Sequence, residues 1–265
     1  MADSLYANND FAYAATCYEK CFYTTEDANE KNRALIGRAN SFKNLKDLRN
    51  QERTLNRINF SILSDSALSR IQYEKALNLY LQYRYEESDE LLRRVYSLNI
   101  NDFAYQKSIL LHGFVLNELF LFDEAKNKLI EFSNSYFLVP AIKDSIIAEI
   151  NHWYSNKNIP KIKSLKKARN LQRWIPGAGL FYAGYPGRAI GNVFLQLAGV
   201  GFIGYNVWQE NYVTASTGGL YLLSMFYAGG LNQTNELVPK KNYTIAKTFN
   251  EEVKRKFTEL MTNKL

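Results

Sequence analysis

Apolar and polar positions recur along the first half of the chain with a period of 37 residues. A small residue opens each unit, at Ala2, Ala39, Ala76 and Gly113, and three positions on stand Leu5, Phe42, Leu79 and Leu116. The next columns are Phe11, Leu48, Tyr85 and Phe122, then Ala14, Gln51, Ser88 and Ala125. The last two are Tyr18, Leu55, Leu92 and Leu129, and Cys21, Ile58, Val95 and Phe132. Within a unit the steps are 3, 6, 3, 4 and 3. Steps of three and four keep side chains on one helical face, so each unit predicts two helices. The step of six crosses a turn, marked by Asn8-Asn9-Asp10, Asn44-Leu45-Lys46-Asp47 and Gln82-Tyr83-Arg84. Residues 141–155 add one more amphipathic segment, with Ile142, Ile146, Ile150 and Trp153 on one face, placed to cap the stack.

After Asn158-Ile159-Pro160 the pattern changes. Residues 189–209 form 21 positions without charge, and residues 211–235 form 25 more, on either side of Glu210. A helix of 21 residues spans about 31 Å, against ~30 Å for the hydrocarbon core of a bilayer. The two spans predict a hydrophobic helical hairpin, transmembrane in character, with both ends on one side. Lys161, Lys163, Lys166, Lys167, Arg169 and Arg173 precede it, and Lys240 and Lys241 follow it. Trp174, Tyr182, Tyr185, Trp208 and Tyr212 fall near the expected interfaces. Gly187 and Gly191, and Ala215 and Gly219, have the spacing of close-packed membrane helices, and Asn192, Gln196 and Gly199 share a face that should meet the partner helix. In the tail, Ile245, Phe249, Val253, Phe257 and Leu260 describe a separate amphipathic helix within residues 242–265, with Lys247, Lys254, Arg255 and Lys256 on its other side. Such a helix either lies on an anionic membrane surface or packs back on the first module.

The sequence thus predicts an all-α protein in three parts: residues 1–158, a helical-hairpin solenoid with a capping helix; 159–241, a basic linker and the hydrophobic hairpin; and 242–265, the amphipathic helix. Charge supports the division, since residues 161–265 hold 14 Lys/Arg against 5 Asp/Glu while residues 1–160 hold 19 against 21. Glycine does too, with 12 of 14 between Gly177 and Gly230.

The column order of the first module resembles the tetratricopeptide repeat, most closely at Tyr85-Glu86-Glu87-Ser88 with Leu92 and at Phe122-Asp123-Glu124-Ala125 with Leu129. The resemblance covers about residues 1–135. It departs from the family in its longer period, against the usual ~34, in Gln51 where a small residue is expected, and in lacking the proline near the end of each unit. It implies a concave groove lined by the first helix of each unit, where a protein or peptide docks. Carried over, the groove positions are Arg33, Ile36, Asn40 and Lys43, then Arg70, Tyr73, Leu77 and Tyr80, then Lys107, Leu110, Phe114 and Asn117. An aromatic lining with scattered cations favours a peptide with acidic and apolar groups. The first unit begins inside its first helix: either that helix is short, or an upstream segment such as a removed export signal is absent.

Ahead of the hairpin stands PGxGxxYxG, with Pro176, Gly177, Gly179, Tyr182 and Gly184. It lacks the lysine and hydroxyl of a phosphate loop, and no strand precedes it as a dinucleotide fold requires. A bend or re-entrant turn at the membrane entrance suits it, with Gly177 and Gly179 permitting close backbone approach. Residues 160–235 resemble C-terminal hydrophobic hairpins of some bacterial membrane-associated proteins, including ones carrying tetratricopeptide repeats.

Catalytic and metal chemistry find no motif. Cys17 and Cys21 lack further ligands and read as structural, and His112 and His152 have no nucleophile and acid in a recognisable order. No cofactor is implied. The basic cluster at 161–173 sits directly before an apolar hairpin, so lipid phosphates are a nearer partner than nucleic acid. The reading is a non-enzymatic scaffold that captures a protein partner at a bilayer, the bacterial inner membrane. The positive-inside tendency puts the basic flanks in the cytoplasm, whereas an export signal would put the solenoid in the periplasm. The alternatives are a soluble all-helical adaptor with a buried hairpin, and a small membrane enzyme or lipid-handling protein using the PGxGxxYxG region.

Overall fold

The structure, a computed structural model, describes residues 1–97 and 103–263. They are all-α, with no strand among the described residues. The chain divides into two compact units, Met1–Asn158 together with Lys256–Leu265, and Ile159–Arg255.

The first unit runs α1 (Ala2–Ala7), α2 (Phe11–Thr24), α3 (Ala28–Asn44), α4 (Leu48–Leu55), α5 (Asp65–Leu81), α6 (Tyr85–Ser97), α7 (Phe103–Glu118), α8 (Phe122–Tyr136) and α9 (Pro140–Trp153), with a 3₁₀ turn at Phe60–Ile62. Side chains start several of these helices: Asp10, Asp27, Asp47 and Ser64 each accept a backbone N–H of the first turn. One turn geometry recurs every 37 residues. Asn9, Lys46, Tyr83 and Phe120 all take positive φ, between 58° and 63°. In each case this residue's N–H donates three residues back, to Tyr6, Lys43, Tyr80 and Asn117. The next N–H donates five back, to Leu5, Phe42, Leu79 and Leu116. That pair of bonds closes the C-terminus of a helix and satisfies two of its open carbonyls. It stops α1, α3, α5 and α7 at the same register and turns the chain into α2, α4, α6 and α8.

Three of the columns are buried in every unit: Ala2, Ala39, Ala76 and Gly113; Ala14, Gln51, Ser88 and Ala125; Tyr18, Leu55, Leu92 and Leu129. A Cβ on Gly113 would stand 2.8 Å from Leu129 Cδ2, so the missing side chain lets α7 approach α8. Gln51 is accommodated by hydrogen bonding, its Oε1 accepting from Asn78 Nδ2 at 2.7 Å while the same amide donates to Leu48 O at 2.9 Å. Cys21 departs from its column: it is exposed. Its helix, α2, has 14 residues while α1 has 6 and does not reach back to cover that end. At the other end α9 covers α8, and the last part of the chain joins in: Phe257, fully buried, meets the rings of Phe114, Phe132 and Trp153 at 6.2, 5.8 and 6.5 Å.

The second unit runs α10 (Leu165–Trp174), α11 (Ala178–Tyr182), α12 (Pro186–Trp208), α13 (Tyr212–Thr214), a π-helical turn (Ala215–Gly219) and α14 (Leu220–Asn263), whose final residues belong to the first unit. The tail is therefore not a separate helix: α14 continues through Pro239 and Asn242. Leu237 and Val238 pack on Leu180, Ala189, Ala168 and Ala183, and Asn242 both accepts from Lys163 N and donates to Lys163 O at 2.8 Å. This burial and the two-bond clamp outweigh the cost of an interior proline, about 3 kcal/mol. Residues 264–265 of the expected tail helix lie outside the described residues.

Candidate functional site

The first-unit positions expected to line a groove fall into three groups. Arg70, Tyr73 and Lys107 come together with Ile36, Ile71 and Glu74 around a hollow of about 700 Å³ on α3, α5 and α7. Tyr73 is largely buried beside Glu74, and both effects raise its hydroxyl pKa, to about 12, so it is a neutral donor at any ordinary pH. Lys43 does not line the hollow but pairs with Glu74 of its wall at 2.7 Å. Arg33 lies elsewhere, paired with Asp3 at 3.3 Å beside a 430 Å³ hollow near the chain start. Asn40 is half-buried, and its carbonyl accepts from Asn44. Tyr80 leans on Tyr85, ring centroids 5.6 Å apart. The third group is covered. Asn117 is fully buried, its amide donating to Tyr154 Oη at 2.7 Å and accepting from it at 2.9 Å. Phe114 is covered by Phe257. Asn117 thus ties α7 to the α9 end in the core.

The PGxGxxYxG stretch is a turn that leaves little choice of residue at its glycines. Gly177 caps α11 with φ 82°, and a Cβ there would meet Ala189 O at 2.6 Å. Gly179 faces α10, where a Cβ would run into Ala168 O. Gly184, φ 87°, follows α11 and closes it: its N–H donates to Phe181 O and the Tyr185 N–H to Leu180 O. Tyr182 Oη accepts from Ser164 N at 3.2 Å, which ties the start of α10 to the motif. Pro176 lines an apolar groove of about 610 Å³ formed with α11 and the first turns of α12.

On α12 polarity is reversed. Its buried residues are Ala189, Asn192, Gln196, Gly199 and Asn206. Its exposed ones include Ile190, Phe194, Leu197 and Val200, at 66, 71, 64 and 55 %. The buried face meets the second neutral span. Asn192 Nδ2 donates to Phe226 O at 3.4 Å and its Oδ1 accepts from Gln172 Nε2 at 2.9 Å, while Gly199 approaches Leu223 and Phe226. Gly230 makes room for these amides, since a Cβ would lie 2.5 Å from Gln172 Nε2. Gly219 receives Ile203 in the same way, but Gly187 and Gly191 face open space and pack nothing. Their spacing is that of a packing pair, yet the helix turns the amide face inward instead. One helix of the described residues, Pro186–Trp208, is long and apolar enough to cross a membrane, and most of its apolar stretch is exposed.

Set against known protein families, curated proteins and solved structures, the chain matches none. Its own residues therefore carry the reading. Among the described residues no group of His, Cys, Asp and Glu could hold a metal ion. One polar cluster escaped the sequence reading: His112 Nε2 meets Asp89 Oδ1 at 2.5 Å and its Nδ1 meets Tyr96 Oη at 3.0 Å. These residues sit 16 and 23 apart on two helices, with no local spacing to betray them. His112 is buried and the two partners are half-buried, so the cluster joins α6 to α7. Gln172 and Gly230 also escaped notice, because their roles exist only once three helices meet.

Proposed function

We propose that the chain is a membrane-anchored helical-repeat adaptor without catalytic activity. The reversed polarity of α12 carries the proposal. A helix of a water-soluble protein hides its apolar side and hydrates its amides, whereas this one hides Asn192, Gln196 and Asn206 and presents Ile190, Phe194 and Leu197. Hydrocarbon around α12 makes its outer face favourable, since apolar side chains meet lipid, and Asn192 bonds across helices to Gln172 and Phe226 O, each such bond contributing ~0.6–2 kcal/mol, while Asn206 bonds back to Phe202 O of its own helix. α12 and the second neutral span then form a hairpin whose near end carries Lys166, Lys167, Arg169, Arg173 and Trp174, and whose far end carries Trp208 and Tyr212. The basic end faces the anionic cytoplasmic leaflet of a bacterial inner membrane. Washing membranes with alkaline carbonate tests this: the full chain stays in the pellet, and its release into the supernatant would overturn the anchor.

The first unit is, on this reading, a tetratricopeptide-like solenoid. The 37-residue recurrence of one left-handed turn supports it, together with the small, buried residue that opens every unit. Its binding surface is the hollow at Arg70, Tyr73 and Lys107. Two cations and a phenol donor suit a peptide bearing carboxylates beside apolar side chains. On a peptide array the full chain selects such sequences, and Arg70→Glu with Lys107→Glu weakens them at least tenfold. Unchanged selection by the double variant would remove the hollow from the account.

A further inference from the structure

The groove beneath the PGxGxxYxG turn is apolar over almost its whole wall: Ile175, Phe181, Ile190, Phe194 and Leu197 face it, and no acidic residue lines it. Gly177 lets the turn lie close on α12 at the groove, because a Cβ there would lie 2.6 Å from Ala189 O. Tyr182 is the wall residue with a polar end, and its ring collects cations. Lys163 Nζ lies 5.1 Å and Lys167 Nζ 5.3 Å from the ring centroid. Both lysines are held by the backbone: Lys163 by the two bonds to Asn242, and Lys167 by its N–H to Ser164 Oγ at 3.2 Å. A second hollow of about 370 Å³, lined by Lys166, Lys167, Asn170, Trp174 and Ile175, adjoins the first through Ile175. It too has no acidic residue. An apolar trough therefore has Tyr182 in its wall, with two ammonium groups gathered at that ring.

We infer that this trough binds one acyl chain of an anionic phospholipid, whose phosphate is held by Lys163 and Lys167. The inference rests on the membrane reading above and adds a specific lipid to it. Charge complementarity selects the occupant. An apolar helix from a second copy would fill the trough but leave the two ammonium groups opposite hydrocarbon. A zwitterionic lipid would bring its own cation to these ammonium groups. A phosphodiester with net negative charge satisfies both ends at once.

The test uses the full chain extracted in mild detergent, with native mass spectrometry reading bound lipid as phosphatidylglycerol or phosphatidylcholine of identical chains is added. One phosphatidylglycerol binds, and phosphatidylcholine binds about tenfold or more weakly, as the loss of two charge contacts implies. Lys163→Gln with Lys167→Gln abolishes that preference. Ile190→Trp, at an exposed wall position, narrows the trough and reduces binding of both lipids. Carbonate-washed membranes retain all these variants. If the wild type stays in the pellet but binds the two lipids equally, or if the lysine variant keeps the preference, the lipid site is wrong and the anchor stands. A lipid-free dimer in detergent would also overturn the site, in favour of a second copy. Release of the wild type by carbonate would overturn both.

Discussion

Burial and a carboxylate act on His112 in opposite directions. The ring is almost wholly buried, which disfavours its cation, while Asp89 at 2.5 Å favours it. Burial is the larger effect, and Lys128 and Arg93 add to it, so the imidazole pKa lies below its usual 6.5. The neutral ring donates from Nε2 to Asp89 and accepts from the Tyr96 hydroxyl at Nδ1. Above pH ~6.5 neither the folded nor the unfolded state binds the proton. As pH falls below that value the unfolded chain is protonated first, and stability is lost until the folded pKa is reached. Denaturation at pH 7.5 and 5.5 checks this. His112→Gln should shed less stability over that interval than the wild type, by up to about 1.4 kcal/mol per pH unit below 6.5. An equal loss in both proteins would mean that His112 does not titrate as described.

Among the elements, glycines separate what spacing predicts from what packing requires. Gly187 and Gly191 have the interval of a helix-packing pair, yet both face open space. Gly177 and Gly179 have no helical interval, and each lies within 2.6 Å of a backbone oxygen at the point where a Cβ would stand. Alanine should therefore behave oppositely at the two pairs. Gly179→Ala, and Gly177→Ala with its added left-handed backbone cost, destabilise by about 1–3 kcal/mol each. Gly187→Ala and Gly191→Ala are neutral or stabilising by up to ~1 kcal/mol, because alanine is the better helix former. Thermal melts in detergent distinguish the pairs, and equal shifts in all four variants would contradict the packing. The helices themselves were legible from columns such as Ala39, Ala76 and Gly113, because burial imposes a period that residue types reveal. The turns were legible only in place. Lys46, Tyr83 and Phe120 adopt the left-handed conformation that glycine usually takes, so residue type gave no warning of it. Asn117 misled for a related reason. Its register matches a groove position, and only the arrival of Tyr154 from beyond the last turn turns it into core. The continuity of α14 through Pro239 was hidden in the same way, since proline reads as a stop until Leu237 and Val238 are seen to be buried.

For the whole molecule, the hydrophobic hairpin departs from the rule of burial that the rest of the chain follows. The first unit hides Leu35, Leu92, Ile109 and Leu129 and exposes its charges, as a body in water does. The second has an apolar core of its own at Leu180, Leu237 and Val238, but its hairpin hides Asn192 and Gln196 and exposes Phe194, Leu197, Val213 and Tyr221. On the proposed reading the first unit works in water while the hairpin of the second lies in lipid, and the basic helix α10 marks the border. Phe194 discriminates most directly, because it is 71 % exposed on the protein and yet should be hidden from water by the bilayer. In a background of Cys17→Ser and Cys21→Ser, Phe194→Cys and Lys161→Cys would be treated with a membrane-impermeant maleimide in open membrane fragments. The account predicts that Lys161→Cys is labelled, while Phe194→Cys stays unlabelled until detergent removes the lipid. Labelling of Phe194→Cys as fast as Lys161→Cys in intact membrane would contradict it.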